Sequence, residues 1–263
     1  MKKIWLMGGF GNVLFQILAY NIVLNKSKKK VFYVTKLTEK NSITKTIKWS
    51  IHQNLYNDLI NENQKIKVST CYSICAVLLG FLSKSTGFFF NFSTFYTNKK
   101  LFDSSKLPAN IFGYFQEKEF LTSYQSELLA LGEIIRNKYI LERSYDIVVH
   151  YRRGDSGWAI MHNGYYESIK KLLKKENKDI YIVTDSYKDA DNFFAGVENV
   201  KIINSENAID DFKIMVSAKK LYCAPSTFSW WAAHALDEES NVIIPSFLEN
   251  DLGVYVKGSY QII

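Results

Sequence analysis

Apolar residues recur with two different spacings along the second half of the chain. The segment Tyr145–Tyr151 is apolar through its centre, as is typical of a strand buried on both faces. Beyond it, short apolar runs alternate with segments in which apolar residues recur every three or four positions, which predicts a parallel sheet with helices on both faces. The predicted elements are a strand at 145–151, a helix at 165–174, a strand at 180–184, a helix at 187–194, a strand at 200–203, a helix at 209–218, a strand at 221–223, a helix at 228–235 and a strand at 242–245.

The beginning of the chain has a similar pattern. An apolar run predicts a buried strand at 3–7, which is followed by a glycine turn, an amphipathic helix at 12–25 and a strand at 31–35. From 36 to about 105 the pattern loosens and predicts irregular helices and loops, and a helix at 117–138 leads into the second half. The sequence therefore predicts an α/β protein of two Rossmann-like domains, residues 1–142 and 143–263, that face each other across a cleft.

Composition and charge narrow the classes of function. Apolar residues make up 47% and charged residues 22% of the chain, which excludes wholesale disorder. The net charge of +7 indicates anionic partners, which are nucleic acid, phosphorylated ligands or an anionic membrane. The lysines form separate runs at 28–30, 170–171 and 174–175, which suit either a solvated surface or peripheral membrane contact. They do not interleave with aromatic residues, so we expect no nucleic-acid partner.

The sequence also indicates in which cellular compartment the protein is expected. Its cysteines, Cys71, Cys75 and Cys223, match neither a disulfide framework nor a zinc pattern with histidine partners, which favours a reducing compartment. The first apolar run is too short for the core of a signal peptide. The most hydrophobic stretch, 74–82, is much shorter than the ~20 residues that a spanning helix needs. We expect a cytoplasmic protein, with peripheral association at the inner membrane as the open alternative.

Candidate binding residues follow the predicted strands at their carboxyl ends, where open parallel sheets bind ligands. Arg152 and Arg153 come just after a buried strand, and their planar guanidinium groups can bind phosphate oxygens. The alternative is a surface ion pair with Asp155. His150 is either a contact to a base or phosphate or a buried structural residue. Asp185, at the end of the next strand, is a further candidate.

Hydroxyl and aromatic side chains meet at the predicted start of the helix at 228–235. The hydroxyls of Ser226 and Thr227, together with nearby backbone amides, could hold a phosphate at the positive end of the helix dipole. As a purely structural feature, Ser226 or Thr227 is the N-cap of the helix, and Trp230 and Trp231 belong to the core. The two interpretations are compatible.

Two patterns that suggest a cofactor are incomplete. The turn Gly8-Gly9-Phe10-Gly11 has Leu14 where a dinucleotide motif has its last glycine, and no acidic residue ends the second strand. Asp189-Ala190-Asp191 is a D-x-D sequence, but in the predicted helix its two carboxylates point to different faces. We interpret them as acidic residues at a helix start. We therefore expect no cofactor and no metal ion.

Six blocks, in chain order, resemble the bacterial α-1,2-fucosyltransferases, glycosyltransferase family eleven, and more distantly the α-1,6- and protein O-fucosyltransferases. The blocks are Gly8-Gly9-Phe10-Gly11-Asn12-Val13-Leu14-Phe15-Gln16, Gly113-Tyr114-Phe115-Gln116, His150 to Asp155, Tyr165-Tyr166, Val183-Thr184-Asp185, and Asp211 to Met215 leading into Ser226 to Trp231. The first, third and last are similar to G-G-L-G-N-Q-L-F-Q, H-x-R-R-G-D and S-T-F-S-W-W. The sequence departs from the family at Phe10, Val13, Thr184 and Ala232, and residues 36–105 contain no motif that aligns.

The resemblance implies a GT-B fold and an inverting, metal-independent transfer of fucose. The donor would be GDP-β-L-fucose and the acceptor the 2-hydroxyl of a terminal galactose, in an oligosaccharide or a lipid-linked glycan such as an O-antigen precursor. Alternatives are a fucosyltransferase of another linkage, a catalytically silent saccharide-binding homologue, and a nucleic-acid-binding protein.

The resemblance also implies roles for individual residues. Arg152 and Arg153 would neutralise the departing GDP, Asn12 would face the reacting centre, and Asp155 would be either the general base or a brace for the arginine loop. The residues expected to bind the substrate are His150 and Asp211 at the guanine, Ser226, Thr227 and Phe228 at the phosphates and ribose, and Asp185, Gly9 and Gly11.

Overall fold

The chain divides into two compact units, Met1–Leu131 and Gly132–Ile263, where the sequence predicts domains that meet between 142 and 143. The computed structural model describes residues 2–6, 8–26, 30–34, 59, 65–66, 75, 94–95, 110–153, 163–205 and 207–263. Each unit has its own parallel sheet. Within these described ranges, no helix combines the length and apolar character that crossing a bilayer requires.

The first unit begins with the described elements β1 (Lys2–Trp5), α1 (Phe10–Lys26), β2 (Val31–Val34), β3 (Lys65–Ile66), β4 (Thr94–Phe95) and β5 (Asn110–Phe112). Its strands form a parallel sheet with the order β3-β2-β1-β5-β4. The prediction of irregular helices and loops at 36–105 is wrong for β3 and β4, since both are strands of this sheet. Each contributes two residues, which is too short for the alternation of buried and exposed positions to show in the sequence.

The central strand and the first helix anchor this unit. The Trp5 indole nitrogen donates to the Asn110 side-chain oxygen at 3.2 Å, which ties β1 to β5 inside the protein. Helix α1 begins at Phe10, before the predicted start at Asn12, because the carbonyl of Gly9 already accepts from the backbone N–H of Val13 at 3.1 Å. Most of α1 is buried, so it packs as a core helix.

The predicted single helix at 117–138 is two helices, α2 (Lys118–Ser123) and α3 (Gln125–Tyr139). The break falls at Tyr124, whose backbone leaves the helical region with φ −124° and ψ 37°. The Tyr124 hydroxyl accepts from the Lys26 ammonium at 2.7 Å, and its ring packs 5.1 Å from that of Phe120. These tertiary contacts, which sequence periodicity does not reveal, accompany the break.

The second unit has the predicted alternation of strands and helices. Its elements are β6 (Tyr145–Tyr151), α4 (Asn163–Leu173), β7 (Ile180–Thr184), α5 (Tyr187–Phe194), β8 (Val200–Ile203), α6 (Ala208–Val216), β9 (Ala218–Tyr222), α7 (Thr227–His234), β10 (Asn241–Ile244), α8 (Ser246–Leu252) and β11 (Ser259–Ile262). The observed bounds of β6, β7, α5 and β8 are the predicted ones, and β9 begins earlier than predicted. Helix α8 and strand β11 were not predicted; all four residues of β11 are exposed, so no buried apolar run indicates this strand.

The strand order of the second sheet is β11-β10-β9-β6-β7-β8, with every neighbouring pair parallel. From β6 the chain builds outward through β7 and β8, and it then returns to the other side of β6 to form β9. The carboxyl ends of β6 and β9 are therefore neighbours whose connections leave in opposite directions. In open α/β sheets this arrangement forms the crevice in which ligands bind.

Candidate active site

Two side chains from neighbouring strand ends meet at this crevice. A terminal nitrogen of Arg152, Nη1, donates to the Ser226 hydroxyl at 3.1 Å, which joins the residues after β6 to those after β9. The backbone N–H of Arg152 donates to the Tyr166 hydroxyl of α4, also at 3.1 Å. Burial raises the pKa of Tyr166 to about 12, so this hydroxyl stays protonated near neutral pH. Arg152 is thus held at both its backbone and its side chain.

Ser226 has a second role as the N-cap of α7. Its backbone is extended, with φ −153° and ψ 136°, and its hydroxyl oxygen accepts from the backbone N–H of Phe228 at 3.2 Å. This is the capping arrangement favoured by serine. Thr227 is the first residue of the helix, and Trp230 and Trp231 are buried. The capping and core roles that the sequence suggested are present together with the contact to Arg152.

Arg153 lies against two acceptors. Its Nε donates to the Tyr151 hydroxyl and to a carboxylate oxygen of Asp189, each at 2.8 Å, and the guanidinium lies 5.1 Å from the centre of the Tyr151 ring. The backbone N–H of Arg153 donates to a carboxylate oxygen of Asp185 at 2.8 Å. Asp189 was not predicted as a site residue, because its carboxylate was interpreted only as an acid at a helix start. Its position directly after β7, in the first turn of α5, was the available signal.

His150 is buried in the last part of β6, with 6% of its surface exposed. Burial lowers its pKa to about 3, with a further contribution from the charge of Arg152, so its imidazole is neutral at physiological pH. Its ring lies edge-on to that of Phe228, with 5.7 Å between the ring centres. Among the described atoms, Nδ1 of His150 has no hydrogen-bond partner. Such a buried polar atom is costly unless a ligand or another group satisfies it.

Asp211, in α6, also has a buried polar atom without a described hydrogen-bond partner. Its Oδ1 is buried and has no hydrogen-bond partner within the part of the chain that the structure describes. Burial raises the pKa of this carboxyl, a hydrogen bond with the Ser205 side chain lowers it, and the charges of Asp210 and Asp185 raise it further. The Phe212 ring, next in sequence, lies 5.2 Å from that of Phe228. Phe228 thus links α6 to the aromatic contact with His150.

The remaining predicted residues of this unit divide into described and undescribed ones. Asp185 is exposed at the end of β7, and the hydroxyl of the preceding Thr184 accepts from the backbone N–H of Ser186 at 3.0 Å. Asp155, the candidate base, and Gly154 lie outside the described residues. In the ranges that are described, no three histidine, cysteine, aspartate or glutamate side chains are grouped so that they could hold a metal ion.

The glycine turn of the first unit lies next to the Asn12 side chain. Gly8 has a φ of +86°, a conformation that favours glycine, and a Cβ at this position would lie 2.6 Å from Nδ2 of Asn12. The Asn12 side-chain oxygen accepts from Nε2 of Gln116 at 2.8 Å. Gly9 is exposed and Gly11 is buried at the start of α1. The structure therefore adds Gln116 to the residues around Asn12. In the sequence, Gln116 was noted only as the last residue of the block 113–116.

The backbone next to Gln116 is strained. Phe115 has a φ of +55°, in the left-handed region that residues with a Cβ rarely occupy, and its side chain is buried. Such strain persists only where the surroundings impose it, and it is common next to binding sites. The buried Phe115 ring packs 5.8 Å from that of Phe120, which helps to hold the segment in place.

Of the remaining histidines, His234 lies within the described residues. His234 is buried in α7, its ring stacks on Trp230 with 5.5 Å between the ring centres, and its Nδ1 lies within hydrogen-bonding distance of the Tyr255 carbonyl. These contacts give it a packing role. His52 and His162 lie outside the described residues.

The fold resembles that of a solved glycosyltransferase. Superposition on Escherichia coli heptosyltransferase WaaC with ADP gives a TM-score of 0.50 at 11% identity, and it covers 100% of this chain and 93% of that one. The fold class is therefore the predicted one, α/β with two Rossmann-like units of the GT-B type.

Sequence comparison gives a second line of similarity. The chain is 27% identical over 285 residues to the Escherichia coli O-antigen biosynthesis glycosyltransferase WbnK, and the match covers 91% of each protein. It is 25% identical over 157 residues to the Escherichia coli alpha-1,2-colitosyltransferase, covering 52% of this chain and 54% of that protein. No family model matches the chain. Together with the fold, these similarities identify the protein as a glycosyltransferase.

Proposed function

We propose that the protein transfers L-fucose from GDP-β-L-fucose to the 2-hydroxyl of a terminal galactose, with inversion and without a metal ion. The observation that carries the proposal is the crevice in the second unit. It has paired arginines at the end of β6, one of them hydrogen-bonded to the N-cap of α7, and two buried polar atoms without described partners. A nucleoside diphosphate has the matching chemistry, an anionic diphosphate joined to a polar base.

The Asp211 carboxylate, whose Oδ1 is buried, favours guanine over adenine. Guanine presents two adjacent donors, N1–H and the 2-amino group, which a carboxylate can accept together. Adenine presents an acceptor at N1, which would face the carboxylate oxygen unfavourably. The neutral imidazole of His150 supplies a further hydrogen-bonding group near Phe228. These features support a guanine nucleotide as the donor's leaving group.

The reaction requires charge stabilisation at the diphosphate. In a single displacement, the galactose O2 attacks C1 of fucose, the bond from C1 to the β-phosphate oxygen breaks, and GDP leaves with the bonding electrons. Arg152 and Arg153 would stabilise the negative charge that develops on that oxygen. The O2 proton must pass to a base, for which Asp155 is the candidate, and Asn12 would orient the acceptor.

The acceptor and linkage are proposed from the relatives. One is an O-antigen biosynthesis glycosyltransferase, similar over 91% of this chain, which supports a surface-polysaccharide acceptor. The other is an alpha-1,2-colitosyltransferase, which supports an α-1,2 linkage. That similarity also makes GDP-colitose a second candidate donor, since colitose is fucose without its 3-hydroxyl.

The test is to incubate the purified protein with GDP-fucose, GDP-colitose, GDP-mannose or UDP-galactose and a panel of β-galactosides, with and without EDTA. We expect α-1,2-fucosylated product and GDP release that EDTA does not reduce. Absence of product with every donor and acceptor would refute the activity. Product formation abolished by EDTA would refute the metal-independent mechanism, and preference for GDP-colitose would reassign the donor.

A pair of arginine variants locates the activity. Arg152→Ala removes a donor from the crevice, and we expect kcat/KM to fall by about 10²- to 10³-fold, as for the loss of one transition-state donor elsewhere. Arg143→Ala is the matched control, because Arg143 donates to the Tyr181 hydroxyl at 3.1 Å at the opposite, amino end of the strands. Equal loss in both variants would argue against the site.

A further inference from the structure

The Arg153 side chain makes hydrogen bonds with Tyr151 and Asp189 that the proposed reaction does not by itself require. The Tyr151 hydroxyl donates to Oδ2 of Asp189 at 2.7 Å, and the same carboxylate oxygen accepts from Arg153 Nε at 2.8 Å. The Tyr151 oxygen also accepts from Nε, at 2.8 Å. The three groups therefore form a closed triangle of hydrogen bonds, with one residue from β6, one from the segment after β6 and one from α5.

The triangle contacts the Arg153 guanidinium through its Nε atom. Both bonds that the Arg153 side chain makes within the triangle use Nε, so neither of these two occupies a terminal nitrogen of the fork. A carboxylate that neutralised the arginine as an ordinary ion pair would most effectively accept from two nitrogens of the fork at once. Contact at Nε restrains the plane and direction of the guanidinium.

Packing restrains the triangle further. The Tyr151 ring is fully buried, and it stacks on Phe193 with 5.2 Å between the ring centres and 23° between the ring planes. It also contacts Tyr166 edge-on at 4.7 Å, and the Arg153 guanidinium lies 6.0 Å from the centre of that second ring. The Tyr166 hydroxyl is the group that accepts from the backbone of Arg152. One aromatic cluster thus supports both arginines.

The pKa shifts of Asp189 and Arg153 agree with the hydrogen bonds of the triangle. A hydrogen bond from Tyr151 is the largest influence on the Asp189 carboxyl and lowers its pKa, and the neighbouring Arg153 lowers it further. Burial opposes the charge of Arg153, but its hydrogen bond to Asp189 and its contacts with Tyr151 outweigh burial, so that its pKa is raised. Both shifts favour the charged forms, an ionised Asp189 and a protonated Arg153.

We infer that Asp189 and Tyr151 are positioning residues that set the direction of the Arg153 guanidinium toward the diphosphate of the donor. The inference rests on the proposed function, since it assigns Arg153 a contact with the leaving group. It gives a role to the first carboxylate of the D-x-D sequence that does not involve a metal ion. The second carboxylate, Asp191, lies on another part of the exposed surface of α5.

The experiment compares Asp189→Ala, Asp189→Asn and Asp179→Asn by steady-state kinetics with GDP-fucose. Asp179 is a matched control, because it also accepts from a tyrosine and a cation, Tyr181 at 3.2 Å and Lys201 at 2.6 Å, but at the amino end of β7. We expect Asp189→Ala to lower kcat by about 30- to 100-fold, the scale of a misplaced catalytic group, with the acceptor KM unchanged. Asp189→Asn retains an acceptor oxygen and should recover part of this loss, and Asp179→Asn should match the wild type.

A double-mutant cycle separates positioning from a merely structural role. Arg153→Lys removes the planar fork, so Asp189→Ala in that background should cost less than about 3-fold, since residues that act as one unit are not additive. The urea midpoint of Asp189→Ala should stay close to that of the wild type, because a half-exposed ion pair contributes little to stability. Independent, multiplicative effects, or loss of kcat that follows loss of stability, would overturn the inference.

The failure of the inference and that of the proposed function give different results. Normal kcat in Asp189→Ala, with an active wild-type enzyme, would overturn the positioning role and leave the function intact. An inactive wild-type protein that also fails to bind GDP in calorimetry would overturn both.

Discussion

His150 is a residue whose environment, rather than its type, determines its chemistry. An imidazole in water titrates near neutral pH, whereas burial and the charge of Arg152 lower the pKa of this one to about 3. The folded protein therefore holds His150 neutral where the unfolded chain protonates it. Because the unfolded state binds the extra proton, the contribution of this residue makes the folded state less stable as pH falls below about 6.5.

This asymmetry gives a measurable pH dependence. Between pH 7 and pH 5, His150 should remove about 2 kcal/mol from the free energy of unfolding, an order-of-magnitude figure set by the unfolded pKa near 6.5. In His150→Gln that part of the pH dependence should disappear, as measured by urea unfolding at several pH values. The imidazole should also show no NMR titration down to about pH 4. A wild type and variant with equal pH slopes, or an imidazole that titrates near pH 6.5, would contradict the assignment.

At the same scale, local roles were predictable and long-range roles were not. The capping role of Ser226 follows from a hydroxyl at the start of a helix, which neighbouring residues determine. The contact between Asp189 and Arg153 joins residues that are far apart in sequence, and a carboxylate in the first turn of a helix is also favourable without any partner. Its site role therefore could not be distinguished from a local one.

At the scale of elements, buried strands were predicted from the sequence more accurately than exposed or very short ones. The bounds of β6 and β7 were correct because their central positions are apolar and enclosed on both faces. The exposed edge strand β11 and the two-residue strands β3 and β4 have no such run, and their places in the sheets are determined by partners elsewhere in the chain. Helix α8 follows β10 after Pro245 and is short, so its periodicity covers less than two turns.

The attachment of β11 depends on Gly258. A Cβ added at this glycine would lie 2.1 Å from the carbonyl oxygen of Ser240 and 2.9 Å from that of Asp237, and neither backbone oxygen can move without disturbing the approach to β10. We expect Gly258→Ala to lower the free energy of unfolding by about 2–3 kcal/mol, the upper part of the range for overpacking. Urea unfolding followed by circular dichroism would measure the loss.

Gly164→Ala is the control for that prediction. Gly164 is exposed in the first turn of α4, and a Cβ there would meet nothing within 4 Å. Alanine should leave the unfolding free energy unchanged or raise it by up to about 1 kcal/mol, because it is the better helix former. Equal midpoints for both variants would show that the backbone around Gly258 can relax.

At the scale of the whole protein, a nucleotide that binds the folded state must raise its stability. With GDP at one hundred times its dissociation constant, the free energy of unfolding should rise by about 2.7 kcal/mol, and EDTA should not alter the rise. ADP at the same concentration should give a smaller shift, because in the proposed base site the Asp211 carboxylate would face the N1 acceptor of adenine. Equal shifts with the two nucleotides, in thermal or urea unfolding, would remove Asp211 from the base site.

The central pairing of the second sheet has a consequence for how quickly this unit folds. Its middle strands β6 and β9 are partners, with Tyr145 opposite Ala218, although β7 and β8 are made between them. Pairing β6 with β9 closes a loop that contains β7 and β8, and this costs chain entropy before the new contact stabilises the fold. Parallel sheets of this topology therefore fold slowly. The crevice that holds Arg152 and Ser226 cannot form before this non-local contact, so nucleotide binding should report on refolding only after β6 and β9 have paired.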